Sequence, residues 1–122
     1  MMNPFLQVAI GGAVGSVARY SVGRLVGAGG LPLATLIVNV LGSFAMGLLA
    51  AALAHRGGSD HAPLLLTGFL GGFTTFSAFS LDTLTLIERG QGVAAAGYVA
   101  ASVGLSLVAV IGGLALGRGL FA

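Results

Sequence analysis

Apolar residues run through the chain in long blocks, and short polar or glycine-rich clusters punctuate them. A helix needs about 20 apolar residues to cross a bilayer core, and four blocks reach that length. The first, residues 4–26, ends at Arg24 and a glycine cluster over 27–30. The second, residues 32–54, opens on Pro32 and closes before His55-Arg56-Gly57-Gly58-Ser59-Asp60-His61, the most polar stretch of the chain. Pro63 suits the first turn of a third span over 62–87. Glu88-Arg89-Gly90-Gln91-Gly92 is then a loop before a fourth span over 93–117. These short loops predict an all-α, up-down bundle of four transmembrane helices. Both termini lie on one side, and residues 1–122 form a single transmembrane domain.

Composition agrees. Hydrophobic residues make up 57% of the chain and charged residues 7%, against about 25% charged in a soluble domain. So small a globule has no interior able to hide that apolar surface. The N-terminus enters an apolar run without a basic leader, so it reads as a first span rather than a removed signal peptide. Five arginines oppose three acids for a net charge of +2, too little and too scattered for a nucleic-acid partner. The chain has no cysteine, which excludes disulfides and thiolate metal sites. No hydrolytic or redox constellation is present, so an enzyme is not expected.

Orientation is balanced. Arg56 and Arg118 fall on one side of the bundle, and Arg24 and Arg89 on the other. Arginine-rich loops stay cytoplasmic, and here neither side wins. Either another signal decides, or the chain inserts both ways and pairs antiparallel. Small residues four apart let helix backbones approach: Gly11 and Gly15, Gly12 and Ser16, Ser43 and Gly47, Gly113 and Gly117. They serve packing within one subunit or between two. A thin four-helix bundle leaves little room for a water-filled path, which favours a homo-oligomer.

The third span is the unusual one. It reads Gly-Phe-Leu-Gly-Gly-Phe-Thr-Thr-Phe-Ser-Ala-Phe-Ser over 68–80 and carries seven hydroxyl residues in all. Interrupted backbone survives at membrane depth only where protein buries it or where it lines a cavity. A break near 71–75 frees carbonyls that can hold a hard cation and amides that favour an anion. Phe69, Phe73, Phe76 and Phe79 recur at helical spacing. They are packing residues or, through the positive ring edge, contacts for an anion. Asn39, mid-way along the second span, is interhelical glue or a pore-lining donor. Arg19 either snorkels to the interface or faces a vestibule and attracts anions. Tyr98, Ser102 and Ser106 share one face of the fourth span. They bond to a neighbouring helix or form a hydroxyl track for a dehydrating ion. Asp82 is a coupling carboxylate or a residue that caps or pairs near a helix end. A metal site at the loop residues His55 and His61 has little support.

Three segments together resemble the Fluc/CrcB fluoride channel family: Gly-Gly-Ala-Val-Gly-Ser-Val-Ala-Arg-Tyr at 11–20, Thr-Leu-Ile-Val-Asn-Val-Leu-Gly-Ser-Phe-Ala-Met-Gly at 35–47, and the 68–80 stretch. The resemblance covers nearly the whole chain. It implies an antiparallel, dual-topology homodimer in the bacterial plasma (inner) membrane, with a broken third helix and two passive pores that export fluoride. By that resemblance Phe76 and Phe79 are the pore phenylalanines and Asn39 the pore asparagine. Tyr98, Ser102 and Ser106, with Ser77, are the polar track, and Arg19 sits by the vestibule. A structural sodium ion at the dimer axis is held by backbone carbonyls of Gly71 and Thr74. Ala78 stands where the family often has threonine, so no side-chain role is assigned there. Asp82 stands where many members carry glutamate.

Two other classes stay in view. A four-helix, proton-coupled drug exporter needs a membrane carboxylate; the first span has none, and only Asp82 could serve. A structural subunit that moves nothing would tolerate apolar replacement of the third-span hydroxyls.

Overall fold

The computed structural model describes residues 2–27 and 29–121 and is all-helical. Helix α1 (Pro4–Val26) starts where the Asn3 side chain accepts from the Phe5 amide at 2.7 Å, with Pro4 in its first turn. It stops at Gly27, whose φ of 77° takes the chain out of helical space. Helix α2 (Leu33–Arg56) runs to Gly57. A short 3₁₀ turn (Ser59–His61) leads into a π-helical stretch (Pro63–Leu70), which passes into α3 (Gly71–Phe73). Helix α4 (Phe76–Glu88) follows, and α5 (Gly92–Phe121) completes the chain.

Among the described residues three helical runs are long and apolar enough to cross a membrane: Leu33–Arg56, Ser59–Glu88 and Gly92–Phe121. The first expected span folds as α1, but it falls short in apolarity. Gln7, Ser16, Arg19, Ser21 and Arg24 all lie within its 23 residues.

Small residues set the packing. α2 lies along α5, and α1 lies along the π-helical stretch and α3. A Cβ on Gly47 would meet the Val110 carbonyl, and one on Gly113 the Phe44 carbonyl. On the other side, a Cβ on Gly11 would meet the Leu64 carbonyl, and one on Gly15 the Phe69 carbonyl. The four-residue glycine spacings therefore serve contacts within the chain, with backbone against backbone.

Few large side chains are buried. Val38 and Leu70 are enclosed, while Phe5, Leu25 and Val93 are each at least 87% exposed. Apolar surface on this scale is foreign to a water-solvated monomer, and it suits a chain facing lipid.

Candidate functional site

Helical geometry lapses at two threonines. Gly71 is still helical at φ −62°, ψ −36°. Thr74 (φ −92°, ψ 159°) and Thr75 (φ −153°, ψ 122°) are extended, and the helix restarts at Phe76. The interruption thus lies after the paired glycines, not at them. Gly72 has a packing role instead: a Cβ there would stand 2.7 Å from the Gly12 carbonyl on α1. Gly42 on α2 leaves the space that the Thr74 methyl occupies.

Some of the backbone groups released at the interruption find side chains. In an unbroken helix the Thr75 amide would bond to the Gly71 carbonyl. Here it donates to Asn39 Oδ1 at 2.8 Å, while Asn39 Nδ2 donates to the Thr75 carbonyl at 3.0 Å. The Gly72 carbonyl accepts from Arg19 Nε at 3.0 Å. The Thr74 hydroxyl donates back to the Leu70 carbonyl at 2.8 Å. Thr75 Oγ1 accepts from the Ala78 amide at 3.1 Å, which caps α4, and lies 3.2 Å from Ser77 Oγ.

An open cavity of about 410 Å³ runs beside this point between α2, α4 and α5. Asn39, Thr74, Thr75, Phe76, Phe79, Ser102 and Ser106 line it, with Met46, Val103 and Val110 among the apolar walls. The two phenylalanine rings sit 5.5 Å apart, tilted by 47°. Phe79 is 9% exposed, whereas Phe76 stands out at 77%. Ser102 is buried, and its Oγ has no protein partner. A buried hydroxyl without a partner costs about 1–3 kcal/mol, and the Tyr98 hydroxyl is its polar neighbour one turn back on the same helix face.

Five of the eight residues that the sequence assigned to the pore therefore share one cavity: Asn39, Phe76, Phe79, Ser102 and Ser106. Three stand apart. Tyr98 packs its ring on Phe79 at 5.4 Å, but its hydroxyl donates to Asp82 Oδ2 at 3.1 Å. Ser77 is exposed beside Thr75. Arg19 borders a second cavity of about 370 Å³ with Tyr20, Arg24, Thr35 and Thr75. Thr74 is part of the interruption, and Gly71 lies three residues before it, still helical. No group of three His, Cys, Asp or Glu residues able to hold a metal occurs among the described residues.

Sequence reasoning missed two partners. Thr35 Oγ1 donates to Asp82 Oδ2 at 2.8 Å, which ties α2 to α4. Thr35 lies four residues before Asn39 and so on the same helix face, a signal present in the sequence. The main chain of Thr75, which holds Asn39, carries no such signal.

The family model described as "CrcB-like protein, Camphor Resistance (CrcB)" matches residues 6–114. The chain belongs to the CrcB-like family. Its relatives include a protein of Paracoccus denitrificans (strain Pd 1222) named "Fluoride-specific ion channel FluC", 66% identical over the whole of both chains. Proteins with the same name from Cereibacter sphaeroides (strain ATCC 17029 / ATH 2.4.9) and Rhizobium etli (strain CIAT 652) are 58% and 56% identical over 98% of this chain and at least 98% of their own. In this CrcB-like chain, then, an interrupted helix, an asparagine amide, two serines and two phenylalanine rings line one open cavity.

Proposed function

We propose that this chain forms a fluoride-selective ion channel that lets fluoride leave the cell passively and so lowers cytoplasmic fluoride. The carrying observation is the chemistry of the cavity. It offers neutral donors and aromatic edges, namely the spare Asn39 amide proton, the Ser102 and Ser106 hydroxyls, and Phe76 and Phe79. No arginine and no carboxylate lines it. Fluoride is small and strongly hydrated, so a path must replace its water with donors. Neutral donors do this without trapping the ion, because a hydrogen bond to a charged partner is worth about 1.5–3 kcal/mol and a short series of them can be climbed in steps. The full-length relatives named for fluoride conduction support the choice of ion.

The working unit is an antiparallel homodimer in the bacterial inner membrane, with the interruption at Thr74 and Thr75 within the third crossing and two pores. Phe76, exposed at 77% beside the polar wall, supports a second copy closing that side. The balanced arginines support insertion in both senses. Arg19 and its cavity serve as the vestibule, and Ser77 and Tyr98 extend the polar track.

A sodium ion at the dimer axis fits the donor set. The Thr75 amide turns to Asn39, which leaves the Gly71 carbonyl without its helical donor, and ψ of 159° swings the Thr74 carbonyl off the helix direction. Oxygen ligands of this kind suit a hard cation, which supplies positive charge and a tie between the two subunits. The alternative of a proton-coupled drug exporter would rest on Asp82, whose Oδ2 accepts from Thr35 and Tyr98 and so ties α2 and α5 to α4.

Growth tests this reading. Bacteria lacking their own fluoride exporter regain growth on fluoride medium when this chain is expressed, and lose it again with Phe76→Ala and Phe79→Ala together. Failure of the unaltered chain to restore growth, despite membrane expression, rejects the reading.

A further inference from the structure

Asn39 meets the interruption at a single residue. It donates from Nδ2 to the Thr75 carbonyl and accepts at Oδ1 from the Thr75 amide, at 3.0 and 2.8 Å. One residue can offer both groups to one partner only when it is extended, as in an antiparallel pair whose residues exchange two bonds. Thr75, at φ −153° and ψ 122°, is extended. In a continuous helix its amide and carbonyl would point opposite ways along the axis and be consumed by neighbouring turns.

This pairing fixes which way the Asn39 amide faces. A backbone N–H only donates and a backbone C=O only accepts. Turning the side-chain amide over would set acceptor against acceptor and donor against donor, and both bonds would be lost. Asn39 therefore holds one orientation, with Oδ1 and the Nδ2 proton on the same side committed to Thr75. One Nδ2 proton is left over on a side chain that lines the cavity shared with Ser102. The Thr75 hydroxyl takes no part in this, because it caps α4 through the Ala78 amide.

We propose that the main chain of Thr75 is a positioning element that sets the sign of the permeating ion, by locking the Asn39 amide so that it presents a proton and not its oxygen. The proposal rests on the fluoride reading and deepens it. An amide free to turn offers an anion its N–H and a cation its oxygen. A locked amide keeps Oδ1 held against the Thr75 amide and its left-over N–H at one fixed place, and it does so without a formal charge.

The chain has two asparagines, Asn3 and Asn39, so ¹⁵N-asparagine labelling of full-length protein in lipid gives two side-chain signals, and Asn3→Ser assigns them. On titration with sodium fluoride, and not with sodium chloride, one Nδ2 proton of Asn39 shifts while its sibling stays fixed and slow to exchange. Equal shifts of both protons, or none, overturn the proposal. A second arm replaces residue 75 by the matching α-hydroxy acid, so that an ester removes the N–H and leaves the threonine side chain intact. Fluoride flux then falls about tenfold or more and fluoride-over-cation selectivity narrows, whereas unchanged flux and reversal potential overturn the proposal. Unaltered vesicles without fluoride flux would remove the channel reading itself. Flux together with an unresponsive Asn39 amide removes only this inference.

Discussion

Ser102→Ala separates pathway chemistry from packing, because the two pull in opposite directions. The Ser102 side chain is buried and its hydroxyl has no protein partner. Leaving such a group unsatisfied costs the folded protein about 1–3 kcal/mol. Alanine removes that cost and leaves a void no larger than one oxygen atom, so the net effect is a gain of about 1 kcal/mol. For a chain of this size that gain raises the melting midpoint by about 3–5 °C. The ion loses a donor. A hydrogen bond to a charged partner is worth about 1.5–3 kcal/mol, and about 1.4 kcal/mol is a factor of ten, so fluoride binding on this wall weakens about ten- to a hundredfold. Thermal melting in detergent and flux in vesicles are read on the same preparation. Ser106→Ala is the control: Ser106 lines the same cavity but is only half-buried, so its stability gain is smaller. A Ser102→Ala protein that melts earlier and conducts normally refutes the reasoning, since its hydroxyl would then be bonded within the fold and absent from the path.

Other outcomes follow from the geometry. Gly113→Ala drives a methyl into the Phe44 carbonyl where α2 meets α5, and this overpacking lowers stability by about 1–3 kcal/mol in a melting experiment. Thr75→Val removes the cap on the Ala78 amide and costs about 1 kcal/mol, while Thr75→Ser retains the wild-type midpoint. Asp82→Asn keeps an oxygen for Thr35 and Tyr98, so flux persists in this variant; abolished transport here, with the phenylalanine replacements without effect, would argue for an exporter. Thorough exchange of sodium for a large organic cation weakens conduction or subunit association, and indifference to it would remove the central-ion proposal while leaving the pore.

The helical class was legible because apolar runs are long and glycines mark their ends. Gly27, Gly57 and Gly90 all adopt positive φ at helix termini. The shortfall of α1 is a matter of degree: Arg19 and Arg24 dilute its apolarity without shortening it. The site of interruption was harder to read. Paired glycines disfavour helix in isolation, yet Gly71 and Gly72 stay helical because Gly72 packs against Gly12, a contact 60 residues away in sequence (72 − 12). The neighbouring threonines leave helical space because Asn39 supplies partners for Thr75. Spacing alone put Ser102 and Ser106 on one face, and both line the cavity. It could not show that the Tyr98 hydroxyl turns to Asp82, since that bond joins two elements. Asn39 illustrates the limit most clearly. Glue and donor were alternatives in the sequence, and in the fold one amide binds the backbone while lining the cavity.

Fluoride release from vesicles is the most direct test. Purified protein is reconstituted into liposomes loaded with potassium fluoride, valinomycin carries the compensating potassium, and an electrode records external fluoride. The account predicts rapid release on adding valinomycin, no matching release from chloride-loaded vesicles, and loss of the signal when Phe76 and Phe79 are both replaced by alanine. Release no faster than from protein-free liposomes, or chloride passing as readily as fluoride, would contradict it.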